Sequence, residues 1–230
     1  MSIRSFTQMC IYVFTYLCFS YILALPTTTR KEIEMAHFIT IANTKGGVGK
    51  TTSTMLISQE LVKRGKKVEV RDTDPSGGAT KWKILAKESG TPLPFPVRSA
   101  NIAEVGEDPD DPDTWVIIDT PPLQAEIIQA AIDAADLVII TTQPGRLDLQ
   151  RTIDTAKAVG KPLTILATHV IARSRSWQQL QEELTKAGLS QMKAYIPSRE
   201  AIKNATGTSD LPHGTRYDEV VQEILDAFSE

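Results

Sequence analysis

Apolar runs of strand length alternate with amphipathic segments of helix length along most of the chain. Residues 38–42 predict a first strand. Residues 52–64 predict a helix with Met55, Leu56, Leu61 and Val62 on its core face. Gly65-Lys66-Lys67 closes that helix, with cations at the end where the helix dipole favours them. Residues 68–71 predict a second strand, and 79–88 a helix that carries Trp82. The proline-rich stretch 90–100 predicts a loop with one short strand near 95–98, and 104–113 is acidic and loop-like. Strands at 115–118, 137–140 and 163–166 then alternate with helices at 127–135, 147–159 and 177–187. A last strand at 193–196 and a final amphipathic helix at 217–228 complete the pattern. Repeated βα units of this kind predict an α/β fold, a mostly parallel twisted sheet flanked by helices.

Between the first strand and its helix lies Thr44-Lys45-Gly46-Gly47-Val48-Gly49-Lys50-Thr51-Thr52. Strand, glycine-rich loop and helix in that order make a phosphate cradle, which predicts a P-loop NTPase architecture. Gly46, Gly47 and Gly49 let the backbone turn tightly around Val48 and aim several N–H groups inward. The helix N-terminus adds partial positive charge at the same place. Lys50 is placed to reach terminal phosphates, and the Thr51 hydroxyl to ligate Mg²⁺. The strict pattern opens with glycine, whereas here Thr44 stands first and Lys45 follows. Two lysines are more charge than one site needs. Lys45 is either a solvated loop lysine or one that touches phosphate, including the phosphate of a neighbouring subunit.

Composition narrows the class. The chain has 230 residues, 41% hydrophobic and 23% charged, which suits one α/β domain with a sizeable core. A net charge of −3 carries no global basic excess, so any DNA contact must come from a local patch. Both cysteines, Cys10 and Cys18, lie near the N-terminus, which excludes a disulfide scaffold or cysteine metal site in the body. His37, His169 and His213 form no ligand spacing and are read as structural or solvent-facing.

Residues 9–25 form an uncharged apolar run, preceded by Arg4 and followed by Pro26 and a Thr-rich stretch. One reading is a signal peptide or short membrane anchor. The other starts from Met35, which lies almost at the first strand. Lys31-Glu32 can be encoded as AAGGAG, a purine-rich ribosome-binding sequence, with Ile33-Glu34 as spacer. On this reading residues 1–34 are translated upstream sequence and 35–230 form the nucleotide-binding domain.

Two strands end in aspartate. Asp119 follows four apolar residues and precedes Thr120-Pro121-Pro122, the form of a Walker B aspartate that holds Mg²⁺ directly or through water. Strand-end aspartates also cap helices. Asp72 and Asp74, in Arg71-Asp72-Thr73-Asp74-Pro75-Ser76-Gly77-Gly78, share one face of an extended chain. Like charges so close favour a nearby cation. One of them is placed to position an attacking water while the other supports the metal shell, although Asp-Pro-Ser-Gly is also ordinary turn chemistry.

Together these residues resemble the ParA/MinD family of P-loop ATPases with its deviant Walker A sequence. The resemblance rests on residues 45–52, Asp72-x-Asp74-Pro75 and Ile118-Asp119-Thr120-Pro121-Pro122. It continues through residues 135–140, Gln143-Pro144 and Leu147-Asp148-Leu149 to Ile196-Pro197-Ser198-Arg199-Glu200-Ala201, which fits the family's region near the adenine. It implies a weak Mg²⁺-dependent ATPase that binds ATP and Mg²⁺ and forms a homodimer on ATP. Lys45 then matches the signature lysine that reaches the partner subunit's nucleotide. Lys50 and Thr51 match the phosphate and Mg²⁺ residues, Thr52 an α-phosphate contact, and Pro197 a contact near the base. Asp74 matches the aspartate that orients the hydrolytic water, and Asp72 and Asp119 match metal-shell positions. Arg71 departs from an apolar strand position, and Ser76 from a common glutamine.

Absences select the branch. Relatives that carry iron–sulfur clusters need cysteines in the body, and those that are tyrosine kinases carry a C-terminal tyrosine cluster. MinD-like proteins end in a basic amphipathic membrane helix, whereas residues 218–230 are acidic and their apolar positions suit packing on the sheet. The form starting at Met35 looks like small plasmid-type ParA partition proteins. That resemblance implies a cytoplasmic, nucleoid-associated protein that segregates plasmid or chromosomal DNA. It would bind DNA without sequence preference and be switched off by a ParB-like, centromere-binding adaptor. Arg173, Arg175 and Lys203, with Lys193 and Arg199, are the candidate phosphate contacts, against a reading as solvated surface charge. The alternative is a MinD-like membrane-associated positioning ATPase, anchored through residues 9–25.

Overall fold

A single sheet built from six short strands organises the computed structural model, which describes residues 35–229. The expectations for residues 1–34 lie outside the described residues, as do the side chains of residues 146–148. The strands are β1 (His37–Ala42), β2 (Lys67–Asp72), β3 (Val97–Ser99), β4 (Thr114–Asp119), β5 (Leu137–Thr142) and β6 (Leu163–Ala167). They run in the order β3-β2-β4-β1-β5-β6, and every pair is parallel. The helices are α1 (Lys50–Lys63), α2 (Gly78–Glu88), α3 (Ala125–Ala134), α4 (Arg146–Ala158), α5 (Arg175–Lys186), α6 (Glu200–Asn204) and α7 (Tyr217–Ala227). The chain leaves β1 toward one edge and later returns to fill the other. The loops at the carboxyl ends of β1, β2, β4, β5 and β6 therefore face a common crevice, where such sheets bind ligands.

Strand periodicity divides the core into two layers. Ile39 and Ile41 of β1 face Met55, Leu56 and Leu61 of α1 and Val220, Val221 and Ile224 of α7. On the opposite face, Ala42, Val138, Ile140 and Ile165 meet Ile128 and Ile132 of α3 and Trp177, Leu180 and Leu184 of α5. Each fully buried Leu or Ile contributes about 1.5–3 kcal/mol relative to exposure. Helix α1 is buried on almost every side from Ser53 to Leu61, wider than the single core face that its apolar spacing predicts. Most of its polar groups find partners within the protein, although the buried Gln59 Oε1 has none among the described residues. The Ser58 hydroxyl donates to the Thr54 carbonyl at 2.7 Å, and Gln59 Nε2 donates to the Thr208 carbonyl at 2.9 Å. The acidic final helix α7 buries Val220, Val221 and Ile224, as its pattern predicts.

Two elements differ from the sequence expectations. Residues 193–196 do not form a seventh strand. Their neighbourhood pairs with β6 and the segment after it only at the isolated bridges Ile165–Gln191 and Val170–Pro197. The reason is competition for donors: the N–H groups of Lys193 and Ala194 go to the Glu223 carboxylate of α7, at 2.9 and 2.7 Å. The short helix α6 follows where no helix was predicted.

Arg71, unexpected in an apolar strand, is only 5% exposed. Its Nε pairs with Glu69 Oε1 at 3.0 Å, and its Nη1 donates to the carbonyls of Glu104 and Val105 at 3.1 and 3.0 Å. Arg98 takes the other oxygen of Glu69 at 2.8 Å. The guanidinium thus pins the start of the acidic loop to the sheet. Removing it would leave one oxygen of the buried Glu69 carboxylate and two carbonyls without their partner, a change that costs about 1–3 kcal/mol for each buried group left unmet.

Candidate active site

The glycine-rich loop leaves β1 and turns directly into α1. Gly47 (φ 77°) and Gly49 (φ 83°) occupy the left-handed region, which side chains resist. Three side chains hold the loop's backbone. Asn43 Oδ1 accepts the Lys45 N–H at 2.9 Å, Gln143 Nε2 donates to the Gly47 carbonyl at 2.7 Å, and Thr168 Oγ1 donates to the Val48 carbonyl at 3.0 Å. A trans peptide points its N–H opposite its C=O. Fixing the carbonyls of Gly47 and Val48 therefore turns the N–H groups of Val48 and Gly49 the other way, as an anion cradle requires.

Lys50 is buried, and its Nζ reaches across the loop to the Lys45 carbonyl at 2.9 Å. Burial lowers its pKa, against the opposing pull of Asp119 and Asp74. A desolvated ammonium in a ring of backbone N–H groups is a site that an anion stabilises. The donor set therefore fits a polyphosphate.

Beside it, Thr51 Oγ1 donates to Asp119 Oδ2 at 2.6 Å, and Thr54 Oγ1 donates to Oδ1 at 3.4 Å. Asp119 is fully buried. Burial first, then the nearby charges of Asp72 and Asp74, push its carboxyl up to about 7, while the Thr51 bond and Lys50 pull the other way. A buried carboxylate next to a hydroxyl, with two further acids near, fits a divalent cation that keeps several waters and takes its other ligands from phosphate. Among the described residues no three acids or histidines converge as an all-protein metal cage.

Asp72 is the register partner of Asp119 on the adjacent strand. Its Oδ2 accepts both the backbone N–H and the hydroxyl of Thr80 at 2.7 Å, and its Oδ1 accepts the Asp74 N–H at 3.2 Å. It thereby caps α2 from outside, because the N-cap residue Gly77 has no side chain to do so. Asp74 is half-buried, and its Oδ1 accepts the Ser76 N–H at 2.8 Å in a local turn. Asp72, Asp74 and Thr80 line a cleft of about 500 Å³ that Asn101 and Ile102 close on the far side.

A second cavity, of about 190 Å³, abuts the other end of the loop. Gly49, Thr52, Thr168, His169, Pro197 and Lys203 are among its walls. Pro197 and Thr52, which are far apart in sequence, thus share one pocket. Lys203 stands in that wall with its Nζ on Glu200 at 2.7 Å, and burial, followed by the Lys203 charge, lowers the His169 pKa. Arg173 and Arg175 are exposed at and before the start of α5 and do not line the cavity. His169, read from sequence as structural or solvent-facing, accompanies Gly49 in the pocket, with its Nδ1 3.1 Å from Gln143 Nε2. Its place just past β6, at the ligand-binding end of a parallel strand, was the available signal. Tyr217, whose hydroxyl lies 3.1 Å from that of Ser53, also reaches the pocket, and nothing local in its sequence marks it.

Comparison with known proteins agrees with this geometry. Residues 39–212 match the family model described as the CobQ/CobB/MinD/ParA nucleotide binding domain. The chain is 31% identical over 180 residues to the maintenance of carboxysome distribution protein A of Gloeobacter kilaueensis, covering 73% of this chain and 79% of that protein. It is 27% identical over 185 residues to the chromosome-partitioning ATPase Soj of Thermus thermophilus, covering 64% of this chain and 74% of the relative. Among solved structures, MinD of Pyrococcus horikoshii complexed with Mg-ADP superposes with a TM-score of 0.63 at 20% identity, over 85% of this chain and 99% of that one. With its phosphate loop, its Thr51 hydroxyl on the buried Asp119 and this match over most of its length, the chain belongs to the ParA/MinD family of P-loop ATPases.

Proposed function

We propose that the chain is an ATP-driven positioning switch that dimerises on ATP, binds DNA without sequence preference and is reset by a partner that stimulates hydrolysis. The observation that carries the nucleotide chemistry is the joined set of Lys50, Thr51 and Asp119 beside a loop whose carbonyls are tied outward. Lys50 holds the terminal phosphates. The Thr51 hydroxyl, which donates to Asp119 here, would hold Mg²⁺, with Asp119 and Asp72 in the metal's surroundings. Bound Mg²⁺ would supply charge neutralisation on the phosphates. Asp74, at the rim of the cleft, orients the attacking water. Lys45 crosses to the nucleotide of a second copy. Thr52, Pro197 and the pocket walls hold the α-phosphate and the base.

The cargo reading rests on the relatives, one named for carboxysome distribution and one for chromosome partitioning. DNA partition is the specific form proposed here, with a ParB-like adaptor and a cytoplasmic, nucleoid-associated location. Exposed Arg173 and Arg175 support phosphate contact. The membrane alternative, anchored through residues 9–25, lies outside the described residues; in α7, Val220, Val221 and Ile224 are buried in the core. Among the described residues no helix is long and apolar enough to cross a membrane.

Lys50→Ala is expected to abolish ATP binding, measured by calorimetry. Asp74→Ala is expected to keep the ATP dimer, measured by light scattering, and to stop turnover; wild-type turnover in that variant overturns the assignment. For DNA, binding to unrelated duplexes with ATP and Mg²⁺ is expected to fall with salt. An unchanged salt slope in Arg173→Ala with Arg175→Ala would show that the patch is misplaced.

A further inference from the structure

Gly77 and Gly78 adjoin at the start of α2, and they are glycine for different reasons. Gly77 sits at φ 66°, a conformation that favours glycine. Gly78 is the first helical residue and is not among the positive-φ glycines. Its backbone would accept alanine, which favours a helix more. What distinguishes Gly78 is space. A Cβ there would lie 3.0 Å from Thr51 Oγ1 and 3.1 Å from Thr51 Cγ2. Ordinary carbon contacts fall at about 3.5–4.0 Å.

Both sides of this contact are held. The first turn of α2 is tied to β2 by the two hydrogen bonds from Thr80 to Asp72. Thr51 is β-branched, lies in the first turn of α1 and is bonded to buried Asp119 at 2.6 Å. A methyl group at position 78 would therefore move the Thr51 side chain.

We propose that Gly78 is a positioning residue for the metal site: its missing side chain lets α2 rest on Thr51 and sets where the Thr51 hydroxyl points. The residue at 78 then tunes the Mg²⁺ affinity of the nucleotide complex while leaving the phosphate loop's own grip intact. This rests on the reading of Thr51 as the Mg²⁺ ligand.

The test is a titration of a fluorescent ADP in EDTA and across Mg²⁺ concentrations, with melting temperatures measured alongside. Gly78→Ala is expected to raise the Mg²⁺ half-saturation roughly tenfold, with nucleotide affinity in EDTA unchanged and Tm not lowered. Adding Thr51→Ser, which deletes Cγ2 and keeps the hydroxyl, is expected to restore most of the Mg²⁺ response. An unchanged half-saturation in Gly78→Ala overturns the proposal, as does an equal loss of affinity in EDTA. Should Gly78→Ala lower Tm, failure of Thr51→Ser to rescue both Tm and half-saturation overturns it too. Thr51→Ala separates the two readings. If it keeps the wild-type Mg²⁺ response, the ligand assignment itself falls; if it loses the response while Gly78→Ala keeps it, only the role of Gly78 falls.

Discussion

Asp72 ends β2 and Asp119 ends β4, side by side in register at the same edge of the sheet. Asp119 faces α1, its carboxylate accepts bonds from the hydroxyls of Thr51 and Thr54, and burial pushes it up to about 7. Asp72 faces α2, and Thr80 and the Asp74 backbone supply three bonds to its oxygens. The difference lies in what the neighbouring helix offers. Helix α1 offers hydroxyls that can exchange a carboxylate for a cation, so Asp119 is held at a free-energy cost that a metal relieves. Helix α2 offers an uncapped N-terminus, so Asp72 already has its partner. One carboxylate meets only hydroxyls and the other also takes two backbone N–H groups, although both stand at the end of a strand.

Substitutions can separate these roles. The largest effect is expected for Asp119→Asn. Its Mg²⁺-dependent nucleotide affinity falls roughly 10- to 100-fold by calorimetry. The Tm of the ligand-free protein does not fall, because a buried carboxylate beside two other acids is gone. A clear loss of stability with normal Mg²⁺ dependence would erase the contrast. Asp72→Ala comes next and, unlike Asp119→Asn, loses about 2 kcal/mol in denaturant unfolding as the cap of α2 disappears. Thr80→Val removes only the hydroxyl bond and keeps the backbone cap, so about 1 kcal/mol is expected. If it matches Asp72→Ala, the backbone bond contributes nothing.

The smallest effect is expected at the opposite ends of the strands. His37 starts β1, packed on Trp115 and Phe228 with ring centroids 4.5 and 4.9 Å away. Burial lowers its pKa below 6.5, with Asp136 opposing. A histidine whose folded pKa is depressed binds protons better when unfolded. Stability is therefore lost as pH falls through 6.5 toward the folded value. His37→Phe should flatten the dependence of Tm on pH below 6.5 and leave nucleotide affinity unchanged. An altered affinity would mean that the strand starts and strand ends are coupled.

The phosphate half of the site was legible because its parts are local. Strand, Gly-rich loop, Lys50 and Thr51 follow one another, and Asp119 announces itself by the four apolar residues before it. Burial of α7's apolar face was legible for the same reason. The pocket beside the loop was only partly legible. Pro197 was found through a family resemblance, whereas His169 and Tyr217 lie among its walls only because the segment after β6 meets the phosphate loop and α7 packs on α1. The predicted strand at 193–196 failed because Glu223, 29 and 30 residues away, takes its backbone donors. Arg71 looked out of place in its strand until Glu69 and the carbonyls of the acidic loop closed around it.

By itself the sequence determined the order of strands and helices, the phosphate loop and the presence of acids at two strand ends. These follow from periodicity and from the backbone freedom of glycine, which act within a few residues. Tertiary structure decided which buried carboxylate meets only hydroxyls and which also caps a helix. It also decided that Gly78 lies against Thr51. Those outcomes depend on which helix lands on which strand end, and a carboxylate's role is set by the donors and the solvent it meets there.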